Sequence, residues 1–181
     1  MNFYEQENNK TVLKTREIIR ELPEFCNEFF LDLNQNTLPK TRMGYAYDLR
    51  VFFNFLVTEN KEFLGRDIKS LTLDDLQKIK VVDINQFMDY LAYYVSDEDS
   101  QLYSNGENGK ARKLAAVRKL FKYFYRTEKI SSNPAELTIT PKRHEKEIVR
   151  LEPNEVAEML DVIENGSKMT SKQKEYYEKT K

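Results

Sequence analysis

The stretch "GKARKLAAVRKLFKYFYRTEKISSNP", Gly109 to Pro134, decides how this chain is read. At helical spacing, Leu114, Val117, Leu120, Phe121, Phe124 and Tyr125 fall within an arc of about 140°, wide enough for a core face. Arg112, Arg118, Lys119, Lys122 and Arg126 occupy the opposite arc. The spacing predicts one helix from Lys110 with two separate faces. Its aromatic rings then belong to a core and do not form a platform for stacking bases. The basic face admits two readings, a solvated surface or the footprint of a polyanion. Acidic partners four residues along the helix, which neutralise many such faces, are missing.

The charge is concentrated here. The chain of 181 residues has 29 Lys plus Arg against 30 Asp plus Glu, a net charge of −1. Between Lys110 and Arg150, however, 12 basic residues face 4 acidic ones. A block of that kind matters more to a polyanion than the overall balance does. It runs on through Lys142, Arg143, Lys146 and Arg150, in a segment from Thr138 that reads as a basic linker with no sustained periodicity.

Outward from this helix the pattern is all-α. "TVLKTREIIREL" (Thr11–Leu22) has helical spacing. "PEFCNEFFLDL" restarts a helix with Pro23 at a first helical position and a face of Phe25, Phe29, Phe30 and Leu33. "PKTRMGYAYDLRVFFNFLVTE" (Pro39–Glu59) sets Tyr45, Leu49, Phe52, Phe53 and Leu56 on one side and Lys40, Met43, Tyr47, Arg50 and Asn54 on the other. Lys40, Thr41 and Arg42 lie in its first turn, where free backbone N–H groups favour phosphate. Thr41 reads equally well as a capping residue. "LTLDDLQKI" and "VVDINQFMDYLAYYV" predict two more helices, with Thr72 and Asp83 as N-caps. Ser96–Gly109 reads as a polar, acidic loop, and "SSNPAEL" as a turn. "LEPNEVAEMLDVIENG" (Leu151–Gly166) predicts a helix whose apolar face, Val156, Met159, Leu160 and Ile163, needs a partner. The 31 residues from Leu151 fall below the roughly 40 that fold alone without staples, so they read as the start of a second domain.

Signals of enzyme chemistry are sparse. The single histidine, His144, sits in the basic linker and makes neither a triad nor a metal cluster. There is no glycine-rich phosphate loop and no cofactor motif. "SDEDS" (Ser96–Ser100) lacks the glycine and final Glu of a calcium loop. The lone Cys26 excludes an internal disulfide and reads as a buried helix residue. No apolar run approaches the length of a membrane span and no secretory signal opens the chain, which points to a cytoplasmic protein without membrane partners.

Three segments together resemble the core-binding region of the tyrosine recombinase, or phage integrase, family. "KTRMGYAYDLRVFFNFL" carries Thr41, Tyr45, Asp48, Leu49, Phe52 and Phe53 at that family's helix positions. "RKLAAVRKLFKYFYRTEKISSNPAE" is similar to a later helix that closes with "NP", and "LEPNEVAEML" to the opening of the catalytic domain. The similarity runs from about Leu22 to Ile163.

The resemblance implies an all-α architecture: a small SAM-like bundle of four to five helices over 1–137, a linker over 138–150, and the start of a catalytic domain over 151–181. Residues 1–21 would be an accessory or flexible helix, with no room for a further upstream DNA-binding domain. In that family the first domain forms half of a clamp around duplex DNA, with its second and fourth helices at the major groove. Carried over by position, the DNA contacts would be Lys40, Thr41, Arg42, Tyr47 and Arg50 from one helix. Lys110, Arg112, Lys113, Arg118, Lys119 and Lys122 would come from the other, with Lys142, Arg143 and Lys146 following phosphates. A Thr common at the start of that second helix is Gly109 here. The family's Arg/Lys/His/Arg set and nucleophilic Tyr have no counterpart in this sequence, and Tyr176 and Tyr177 are not that nucleophile. The implied partners are a recombination core site in duplex DNA and other recombinase protomers in a synaptic complex. The rival reading is a helical protein-interaction module whose basic face meets an acidic partner.

Overall fold

The computed structural model describes residues 3–95, 100–142, 150–165 and 169–180. The chain divides into two compact units, Met1–Arg143 and His144–Lys181.

In the first unit, α1 (Phe3–Ile19) packs along α3 (Pro39–Thr58). It begins earlier than the periodicity predicts, because its polar N-terminal half has no apolar stripe to reveal it. Ile18 is its buried anchor. The buried hydroxyls of Thr11 and Thr15 donate to the carbonyls of Glu7 and Thr11, at 2.8 and 2.7 Å. That local bonding satisfies them without a tertiary partner.

Pro23 does not open the next helix. The amides of Cys26 and Asn27 close a turn on Pro23 and Glu24, and α2 spans Cys26–Asn36. Cys26, Phe29, Phe30 and Leu33 are buried on it. Burial pushes the Cys26 thiol well above its ordinary range, which leaves it unreactive.

α3 is the central helix and packs on α1, α2, α5 and α6. Pro39 occupies its first turn after the extended Leu38, a position that suits its missing N–H. Thr41 therefore lies inside the helix and is not its cap. Ala46, Asp48, Leu49, Phe52, Phe53, Phe55 and Leu56 are buried, more than one stripe, because neighbours surround the helix.

A 3-10 turn (Ile68–Ser70) leads into α4 (Leu73–Lys78). Thr72 caps α4 in a reciprocal box with Asp75. Asp75 is buried and also accepts from Arg66 at 2.9 Å and from Lys78 at 3.2 Å. α5 (Val81–Tyr90) follows, shorter than predicted because turns close at Ala92 and Tyr93. Asp83 is not its N-cap; from the third helical position it accepts the Lys80 amide at 2.8 Å.

The end of the stretch read as a helix and part of the polar loop after it form a short hairpin instead. β1 (Tyr94–Val95) and β2 (Leu102–Tyr103) pair antiparallel, Tyr94 opposite Tyr103 and Val95 opposite Leu102. Strands of two residues are too short to show alternation. Tyr90, Tyr94 and Tyr103 stack in series, with ring centroids 5.1 and 5.7 Å apart.

α6 (Glu107–Arg126) buries Leu114, Val117, Leu120, Phe121 and Phe124 as predicted, and Ala111, Lys113 and Ala116 as well. Tyr125 leaves the predicted stripe and is 51% exposed. The helix ends in a Schellman motif: the amides of Glu128 and Lys129 bond the carbonyls of Tyr125 and Phe124 at 3.1 and 2.9 Å. α7 (Pro134–Leu137) closes the unit and packs on α5 and α6.

The second unit holds α8 (Pro153–Asn165) and α9 (Ser171–Thr180). The Tyr177 hydroxyl donates to the Glu164 carbonyl at 3.1 Å. Val156, Met159, Leu160 and Ile163 remain substantially exposed. Gly166, the predicted end of α8, lies outside the described residues. Among the described residues no helix is long and apolar enough to cross a membrane.

Two stability predictions follow from these caps. Glu128 holds a left-handed backbone with φ 58°. Glu128→Gly removes that strain and should stabilise the unit by about 1 kcal/mol, raising Tm by roughly 2–4 °C. An unchanged or lower Tm would show that the conformation costs nothing. Asp75 is held well below the usual carboxylate range, chiefly by the Arg66 hydrogen bond. A depressed carboxylate contributes stability above its unfolded pKa of about 3.9 and loses it as the pH falls toward the folded value. Urea unfolding of Asp75→Asn should thus show a deficit at pH 7 that narrows on acidification below about pH 4.

Candidate nucleic-acid interface

α3 and α6 run side by side in the same direction. Gly44 lies beside Arg112, Asp48 beside Arg112 and Lys113, and Phe52 beside Phe121 with ring centroids 6.4 Å apart. Their N-terminal ends therefore lie together, and so do the cations that their first turns carry.

At the junction sits Asp48, with a side chain 2% exposed. Its Oδ1 accepts Arg112 Nη2 at 2.8 Å and lies 4.0 Å from Lys113 Nζ. Its Oδ2 has no hydrogen-bond partner among the described residues. Burial pushes the Asp48 carboxyl upward, and the charges of Arg112 and Lys113 oppose that shift. Burial also lowers the Lys113 ammonium. Lys113 donates to Asn105 Oδ1 at 2.8 Å, and Asn105 in turn bonds the Leu91 carbonyl. A methyl group on Gly109 would come within 2.9 Å of Asn105 Oδ1. The glycine thus lets Asn105 lie across the first turn of α6 and receive Lys113.

The candidate contacts divide by what holds them. Lys40, Thr41, Lys119, Lys122 and Lys142 are exposed and Lys110 is half-exposed, and none of the five lysines makes an ion pair among the described residues. Arg42 is half-buried and donates to the Thr37 carbonyl. Tyr47 lies under the Arg50 guanidinium, 5.0 Å from its ring centroid, and Arg50 also pairs with Glu21 at 2.8 Å. Arg112 is exposed but anchored, whereas Lys113 is buried and its ammonium is committed inside the protein. Arg118 is turned toward the end of the unit. It donates to the Ala135 carbonyl at 3.0 Å, to Thr140 Oγ1 at 2.6 Å, and to the Thr138 carbonyl. Arg143 and Lys146, like His144, lie outside the described residues.

The acidic partners missing along α6 come from other helices. Asp48 of α3 takes Arg112, Asp32 of α2 takes Arg126 at 3.3 Å, and Glu28 of α2 takes Lys129. Glu28 also accepts the Tyr123 hydroxyl at 2.7 Å; burial, then this carboxylate, pushes that phenol up to about 12. Sequence reasoning placed Asp48 in a motif without a role and passed over Asn105. A carboxylate among phenylalanines on a helix was the available signal, since such a group is rarely buried without a cation.

Between α3, the hairpin and α6 lies a cleft of about 260 Å³, lined in part by Tyr47, Arg50, Tyr94, Tyr103, Arg112 and Lys113. Four of the candidate contacts, Tyr47, Arg50, Arg112 and Lys113, thus share one cleft. Among the described residues no cluster of three or more His, Cys, Asp or Glu is arranged to hold a metal ion.

The internal role of Arg118 has a measurable consequence. Arg118→Ala should destabilise the unit by about 1–3 kcal/mol, because three acceptors lose a charged donor. It should also speed proteolysis within Thr138–Lys142. Lys119→Ala and Lys122→Ala should change stability by less than about 0.5 kcal/mol. Equal cleavage rates in Arg118→Ala and the parent chain would contradict the clasp.

Comparison with known proteins adds relatives. The tyrosine recombinase XerC of Caldanaerobacter subterraneus subsp. tengcongensis is 32% identical over 154 residues, which cover 81% of this chain and 41% of the relative. XerC of Chlorobaculum parvum is 34% identical over 130 residues, 72% of this chain and 34% of the relative. XerC of Leptospira interrogans is 27% identical over 161 residues, 83% of this chain and 45% of the relative. The chain thus spans less than half the length of these curated relatives. No family model and no solved structure matches it. With relatives of one name aligned over most of its residues, the chain belongs to the tyrosine recombinase family.

Proposed function

We propose that this chain is the core-binding portion of a site-specific recombinase, and that it grips duplex DNA through α3 and α6. The carrying observation is the cationic face itself. Lys40 on α3 and Lys110, Lys119 and Lys122 on α6 make no ion pair among the described residues, while Arg112 and Arg126 take up Asp48 and Asp32. The relatives are tyrosine recombinases, which supports the reading, since recombination of DNA requires that DNA be held. Phosphate contacts from these lysines supply affinity and position, and a smaller number of helix side chains read base edges. Lys142 continues the positive path from the end of the unit. Strand cleavage and rejoining, and assembly with other protomers, belong in this proposal to the longer protein of which such a portion is part.

The salt dependence of duplex binding tests the reading. Each phosphate contact releases counterions and adds about 0.9 to the slope of log affinity against log salt. Four such lysines predict a slope of about −3.6 or steeper. Lys119→Ala and Lys122→Ala should each flatten it by about one such increment, with binding weakened uniformly across sequences. Affinity that hardly responds to salt, or capture of polyglutamate in preference to duplex DNA, would favour the acidic-partner reading instead.

A further inference from the structure

We infer that Arg112 is the guanine-reading side chain of this face and that Asp48 is the positioning residue that aims it. The inference rests on the reading of α3 and α6 as a duplex-DNA surface and names the base chemistry that surface selects.

Arg112 differs from every other cation of the face. Its side chain is 60% exposed, yet it is tied to a carboxylate whose own side chain is 2% exposed. Among the described residues one nitrogen is engaged, Nη2 on Asp48 Oδ1 at 2.8 Å. Nη1 passes over Gly44, near enough for an alanine methyl there to touch it at 3.8 Å. The guanidinium thus lies directly against the α3 backbone at Gly44. A guanidinium has five N–H donors in one plane, so the remaining donors stay available in a fixed fork.

Charge separates the two kinds of DNA contact. A phosphate needs net positive charge, and the paired Asp48 carboxylate cancels much of that of Arg112. Lys40, Lys110, Lys119 and Lys122 carry no such partner among the described residues and suit phosphates better. A neutralised but oriented fork retains its directional hydrogen bonds. Those match the O6 and N7 acceptors of guanine in the major groove. Anchoring also removes part of the rotamer freedom that a free arginine loses on binding. Of the other ion-paired arginines, Arg50 stacks on Tyr47, pairs with Glu21 and is only 15% exposed, and Arg126 pairs with Asp32, whose side chain is 37% exposed. Lys113 adds support from inside: its ammonium lies 4.0 Å from the same Asp48 oxygen and is held chiefly by Asn105 at 2.8 Å.

The test is selection from a duplex library with a randomised window, using the 181-residue chain and sequencing the bound fraction. The parent chain should enrich a motif that includes a guanine. Arg112→Gln keeps an amide donor for Asp48 but loses the guanidinium fork. It should erase selection at that guanine, leave the other positions intact, and weaken the best sequence about ten- to hundred-fold. Its salt slope should change less than that of Lys119→Ala. Asp48→Asn should blur the same guanine while binding to a duplex without the motif stays near parental, which a merely structural residue would not produce. Should Asp48→Asn fail to melt cooperatively, Arg112→Gln carries the test alone. Duplex binding with guanine selection unchanged in Arg112→Gln, or a parental motif without guanine, overturns the role of Arg112. No duplex binding at all overturns the underlying DNA reading.

Discussion

A carboxylate buried to the extent of Asp48 stays charged only if cations are brought to it. That constraint organises the seam between α3 and α6. Arg112 and Lys113 are adjacent on α6 and both turn toward the same oxygen of Asp48. Two neighbouring residues on a helix point about 100° apart, so meeting one acceptor fixes the rotation of α6 about its own axis. The same rotation sends Leu114, Val117, Phe121 and Phe124 into the core and leaves Lys119 and Lys122 outside. One electrostatic requirement thus sets which side of the helix is apolar packing and which is surface.

The aromatic core takes over where that seam ends. Phe25 meets both Phe53 and Phe124 edge to face, with ring centroids 5.9 and 5.5 Å apart. Phe52 meets Phe87 and Phe121 in the same manner. α2, α3, α5 and α6 are therefore joined through rings whose positive edges face negative faces, an arrangement that adds direction to ordinary burial. The basic helix gains its acidic neighbours by the same packing. α2 brings Glu28 and Asp32 to the far end of α6, and α3 brings Asp48 to its start. Lys119 and Lys122, exposed between these two ends, are among the lysines that the proposed function assigns to phosphates.

Much of the architecture was legible because a helix writes its burial every three or four residues. The Pro39 and Gly109 stretches carry that signature over twenty residues each, and their cores lie where the spacing placed them. Shorter or polar features were not legible. The first turns of α1 are charged and reveal no face, and two-residue strands have no period to detect. Tyr125 and Lys113 show the limit of reading one helix alone. The wheel gave Tyr125 to the core and the family resemblance gave Lys113 to the DNA contacts, but Tyr125 is exposed and Lys113 is buried.

The sequence by itself determined the helical class, the two-faced character of α6, the clustering of positive charge and the motifs of the recombinase family. Those properties depend on residue type and local spacing, which the chain carries wherever it goes. Only the tertiary structure decided which cations remain available. Arg118 is spent on the Ala135–Thr140 segment, Lys113 on Asn105 and Asp48, and Arg112 is held yet presented. The partners responsible lie from 8 to 65 residues away along the chain. No local pattern records such distances, because hydrogen bonds and ion pairs depend on separation in space.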